Sequence, residues 1–102
     1  MSDFDSVPVN DVPADAKILD VREDYEWVAG HAEDAVHIPL DQLPARMAEV
    51  PQDADVLVVC RSGNRSAQAR DLMLQAGYEN VTSMAGGVTE WQTQGLPTVT
   101  GP

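Results

Sequence analysis

A chain of 102 residues is the size of one globular domain, and its 43% hydrophobic content supplies apolar material for a single modest core. A net charge of -11 at pH 7 argues against nucleic acid as a partner, because phosphate binding depends on clustered Lys and Arg. No apolar run approaches the ~18 residues of a membrane span, and Asp3, Asp5 and Asp11 stand where a secretory leader would be basic, so a cytoplasmic protein away from membranes is expected.

Residues 17–21 (KILDV) form a short apolar run that ends at charges and predicts a strand, and residues 24–29 predict a brief helix closed by Gly30. A second short strand is expected over residues 35–38 (AVHI), stopped by Pro39. Beyond it Leu40, Leu43, Met47 and Val50 recur along one helical face, and Pro44 fits only in the first turn of that helix, where a missing N–H does no harm. Residues 55–60 (DVLVVC) give the strongest strand signal: four consecutive apolar residues, three of them valine, suit a strand buried on both faces near the sheet centre. A helix is predicted over residues 66–76 with Ala69, Leu72, Met73 and Ala76 on one face and Gly77 as its left-handed cap. Another strand follows at residues 81–84, and Gly86 and Gly87 open a last helix over residues 88–94 that buries Trp91 and ends at Gly95 and Pro97. Strands alternating with helices, with no internal repeat or linker, argue for one domain spanning residues 1–102 (core about 5–98): an α/β fold with a parallel sheet covered on both faces.

In such a sheet, ligands bind beyond the carboxyl ends of the strands, and Cys60 sits at such an end. It is the only cysteine, which rules out an internal disulfide and a four-thiolate metal site and leaves a free thiol. Fourteen acids and three bases precede it, whereas residues 60–102 hold three of each, with Arg61 and Arg65 close behind the thiol. The intervening Ser62, Gly63 and Asn64 are small and polar, and Gly63 allows successive N–H groups to turn inward as an anion-holding nest. A thiol beside such a nest, a helix start and two guanidinium groups ionises readily, and the thiolate is the nucleophilic form. A buried, inert cysteine closing an apolar strand is the structural alternative.

The chain resembles the rhodanese family in four motifs that keep the family's order and spacing: DVRE at residues 20–23, a GH-to-HIP stretch over residues 30–39, CRSGNRS at residues 60–66, and GGVTEW with GLP over residues 86–97. The resemblance implies a three-layer α/β/α rhodanese-like fold with a central five-stranded parallel sheet and the cysteine loop after the fourth strand. One departure is the Ala32-Glu33-Asp34 segment, where an Ile-Pro-Gly type of sequence is commoner, and it is expected to alter a loop near the site. Related phosphatases and arsenate reductases place an arginine six positions after the cysteine. Here that position is Ser66, and Arg65 lies five positions after Cys60, the shorter loop that goes with sulfur transfer.

The resemblance implies a sulfurtransferase in which Cys60 takes sulfur from thiosulfate or a persulfide donor, holds it as a persulfide, and yields it to a thiol or cyanide acceptor. Arg61, Ser62, Gly63, Asn64 and Arg65 would bind the donor, with Arg65 the firmer of the two arginines. Asp20 and Arg22 are expected as a supporting ion pair. His31 and His37 have no partner ligand at metal spacing, so neither a metal nor another cofactor is expected. A different class of reading is a sulfur-delivery or protein-binding module that is loaded by a protein persulfide partner and has little thiosulfate activity. Phosphatase or arsenate reductase activity is a more distant alternative.

Overall fold

A computed structural model of the chain describes residues 6–8, 16–33, 35–53, 55–61, 64–85, 88, 91 and 98–101. Its centre is β5 (Val56–Val59), four residues buried on both faces. On one side β5 pairs with β2 (Lys17–Asp20), which pairs in turn with β4 (Val36–His37); on the other it pairs with β6 (Val81–Ala85). The short segment β1 (Ser6–Pro8) adds to β6, giving the order β1-β6-β5-β2-β4 with every pairing parallel. The α/β class with a parallel sheet is therefore the one that the alternation of patterns predicted. A separate antiparallel pair joins β3 (His31–Ala32) to β7 (Thr98–Val99).

The period of two along β5 divides the core. Val56, Val58 and Cys60 face one cluster, with Leu19, Val21, Ile38, Leu43, Ala69, Met73 and Tyr78. Leu57 and Val59 face the other, with Ala32, Met84, Val88 and Trp91. Cys60 thus lies on the face covered by the helix α3 (Asn64–Gln75), which contributes Ala69 and Met73.

Three local expectations are corrected. The single helix expected after Pro39 is a 3-10 turn (Leu40–Gln42), the short α2 (Leu43–Arg46) and a second 3-10 turn (Met47–Glu49). Arg46, with φ -114° and ψ 7°, leaves α geometry and breaks the run, although Leu43 and Val50 are still buried and Leu40 and Met47 pack against the core. Leu72 of α3 and Ala76 just past its end are exposed, and the buried stripe of the helix is Ser66, Ala69, Arg70 and Met73. That stripe keeps helical spacing, but two of its members are polar: the Ser66 hydroxyl meets that of the buried Ser83, and the buried Arg70 guanidinium donates to the exposed Asp71 beside it. The helix also begins two residues earlier than expected, at Asn64, so Arg65 belongs to its first turn. Gly77, at φ +103°, provides the left-handed end that the sequence called for. Of the last helix, Val88 and Trp91 are described and both are buried; Gly86, Gly87, Gly95 and Pro97 lie outside the described residues.

Candidate active site

Because the strands of the β1-β6-β5-β2-β4 sheet run the same way, their carboxyl ends meet at one edge of it. At the end of β2, Asp20 is fully buried and holds Arg22. The Arg22 backbone N–H and Nε donate to Asp20 Oδ1 at 3.0 Å each, and an outer guanidinium nitrogen donates to Oδ2 at 2.8 Å. The same outer nitrogen donates to the Gly30 carbonyl at 2.7 Å, tying this strand end to the end of α1 (Asp24–Ala29). His37 Nε2 donates to the Arg22 carbonyl and His31 Nδ1 to the Trp27 carbonyl. Trp27 stacks on both imidazoles, with ring centroids 3.5 Å and 4.7 Å away. Asp20, Arg22, His31, His37 and Trp27 are thus tied together by hydrogen bonds and stacking beside the strand ends. Among the described residues no group of three or more His, Cys, Asp or Glu side chains could hold a metal ion, and no helix is long and apolar enough to cross a membrane.

At the end of β5, Cys60 is 1% exposed and its carbonyl accepts the Val88 N–H at 2.8 Å. Its thiol lies 3.6 Å from the hydroxyl of Ser66, which is 2.6 Å from the hydroxyl of Ser83 on β6. Both serines are buried. Hydroxyl protons rotate to suit their neighbours. With a thiol present, S–H donates to Ser66; with a thiolate, Ser66 donates to sulfur and Ser83 to Ser66. The pair can therefore accommodate either charge state without moving a heavy atom.

The two loop arginines part company. Arg65 makes a two-point ion pair with Glu26 of α1, at 2.7 Å and 2.9 Å. The Arg65 guanidinium holds the Glu26 carboxyl down at about 2, with help from the Glu23 N–H, and the carboxylate in turn raises Arg65. Arg61 is exposed and helps to line an open cavity of about 340 Å³ with Arg22, Tyr25, Glu26, Ala29, Gly30 and Val88. Asn64 is exposed at the start of α3, whereas Ser62 and Gly63, and with them the expected N–H nest, lie outside the described residues. Sequence reasoning passed over Glu26, Tyr25, Ser66 as a partner of the thiol, and Ser83. Glu26 had a usable signal, since Glu23 and Glu26 form the capping box of α1. Ser83 had only its polarity within an apolar strand.

Residues 8–94 match the family model of the rhodanese-like domain. A protein called sulfurtransferase from Allochromatium vinosum is 41% identical over 85 residues, which are 83% of this chain and 79% of that protein. Among solved structures, a rhodanese-related protein from Thermoplasma volcanium superposes with a TM-score of 0.86 at 31% identity, covering 92% of this chain and 96% of the other. A NAD-dependent persulfide reductase from A. fulgidus has a TM-score of 0.77 and 33% identity over 89% of this chain, but only 17% of the reductase is covered.

Proposed function

This chain belongs to the rhodanese-like domain family, and on that premise we propose that it is a sulfurtransferase that carries sulfane sulfur as a Cys60 persulfide. The observation that carries the reading is the position of Cys60: it ends the central strand, leads into the loop before α3, and lies within reach of a hydroxyl pair suited to either charge state of sulfur.

In the first step the Cys60 thiolate attacks the outer sulfur of thiosulfate or of a persulfide. The new S–S bond forms as the old one breaks, and sulfite or a thiolate leaves with the electron pair. Thiosulfate and thiolate bring three negative charges, and sulfite and persulfide carry three away. In the second step a thiolate or cyanide takes the outer sulfur and restores the Cys60 thiolate. Arg61, on the cavity wall, attracts the anionic donor, and the loop N–H groups of residues 61–65 hold the persulfide anion. A persulfide donor is supported by the likeness to a persulfide reductase, and a cavity of about 340 Å³ has room for a donor larger than thiosulfate.

The test is to weigh the intact protein after mixing with thiosulfate, a small-molecule persulfide or a protein persulfide. One added sulfur atom that is absent in Cys60→Ser and removed by cyanide is the expected result. Loading by a protein persulfide alone would replace the enzyme reading with one of delivery. A chain that no donor loads would end both.

A further inference from the structure

Glu26 joins two parts of the site that are far apart in sequence. Its carboxylate lies on α1, 39 residues before Arg65, and both oxygens are engaged by the guanidinium fork. Oε1 also accepts the Glu23 N–H at 3.0 Å, so the capping box of α1 presents the carboxylate in one orientation. The Glu26 side chain is 12% exposed, which shields the pair from water more than an ordinary surface contact.

The consequence for the loop follows from connectivity. Cys60 is fixed by β5 and by the Val88 N–H, and Arg65 is fixed by Glu26. Cys60 and Arg65 are therefore held at a set separation. The guanidinium is also spoken for: its charge faces Glu26, while Arg61 has no ion pair among the described residues.

We propose that Glu26 is a positioning residue for Cys60, which acts through Arg65 by pinning the far end of the cysteine loop and by keeping the Arg65 charge away from an incoming anion. The inference deepens the sulfur-transfer reading and rests on it, but its assay needs no sulfur donor. Cys60 is alkylated with neutral iodoacetamide and with anionic iodoacetate in the wild type, Glu26→Gln, Arg65→Gln and the double variant. Gln keeps an acceptor for the Glu23 N–H but removes the charge and one of the two acceptors that Arg65 uses. Freed of its carboxylate, Arg65 should raise the iodoacetate-to-iodoacetamide rate ratio by roughly three- to tenfold in Glu26→Gln. The double variant should behave like Arg65→Gln alone, since Glu26 has nothing to act through once Arg65 is gone. Arg65→Lys, which keeps the charge but loses the two-point grip and leaves α1 untouched, should raise the ratio by roughly twofold. Glu49→Gln, at the exposed ion pair with Arg46, should leave it unchanged.

An unchanged ratio in Glu26→Gln, additive effects in the double variant, or an equal rise in Glu49→Gln overturns the proposal. If the ratios behave as expected but no donor loads Cys60, the positioning role stands and the sulfur-transfer reading falls.

Discussion

Ser83 and Ser66 share a hydrogen bond of 2.6 Å inside the protein, and Ser66 sits 3.6 Å from the Cys60 sulfur. A hydroxyl that donates to a thiolate favours the ionised form. Ser66→Ala is expected to slow alkylation of Cys60 at neutral pH roughly three- to tenfold and to move its pH profile upward. Ser83→Ala should act in the same direction more weakly, because it touches the sulfur only through Ser66. The Ser66 variant also takes from Ser83 the bond it makes to Ser66, at a stability cost of ~1–3 kcal/mol. Alkylation rates across pH, with urea unfolding of the same proteins, measure both effects.

The ion pair between Asp20 and Arg22 has a different character, since both groups are buried and the guanidinium also serves the Gly30 carbonyl. Removing the carboxylate leaves a buried cation without its counter-charge. Asp20→Ala is expected to cost about 3–5 kcal/mol in urea unfolding. Arg22→Met together with Asp20→Ala should cost less than Asp20→Ala alone, because no stranded charge remains. A double variant less stable than the single would refute that account.

What was legible in the sequence were features that depend on neighbours along the chain. The valine run of β5 and the Gly77 cap both report local backbone preference. The sheet class followed from their alternation. What escaped reading depends on contacts across the fold: β3 pairs with β7 from the far end of the chain, and Arg65 meets Glu26 only because α1 and α3 are brought together. The expected inner face of α3 failed for a related reason. Hydropathy places Leu72 inside, yet Ser66 and Arg70 occupy the buried stripe: Ser66 meets Ser83 across the fold, and Arg70 turns its guanidinium to the exposed Asp71 beside it. Polarity describes a side chain's cost of burial, whereas its burial also depends on partners the sequence does not reveal.

The Glu26 carboxyl is held down at about 2 in the folded chain, against an ordinary value of 4.5. A depressed carboxylate contributes stability that is fully present above the unfolded value and is lost as pH falls through the folded one. The contribution should therefore be complete above about pH 5 and disappear toward pH 2. A protonated Glu resembles Gln in size and charge, so wild type and Glu26→Gln should differ in urea midpoint near neutrality and converge at the acid end. The remaining carboxylates titrate in both proteins and cancel in the comparison. A gap that stayed constant down to pH 2 would assign the Glu26 effect to packing rather than charge.

Arg61 is the residue to which donor selection should respond. Of the arginines near the loop, Arg22 is committed to Asp20 and Arg65 to Glu26, while Arg61 is exposed on the cavity wall. An exposed cation acts on a dianion such as thiosulfate at a distance that salt screens, and it contributes to encounter and binding more than to the S–S bond change. Arg61→Ala is thus expected to raise KM for thiosulfate roughly tenfold with kcat changed less than about threefold. The wild-type KM should rise with ionic strength, and that dependence should flatten in the variant. Arg61→Lys, which restores the charge on the same wall, should recover most of the loss. If kcat fell instead and KM held, Arg61 would act in the transfer step itself rather than in gathering the donor.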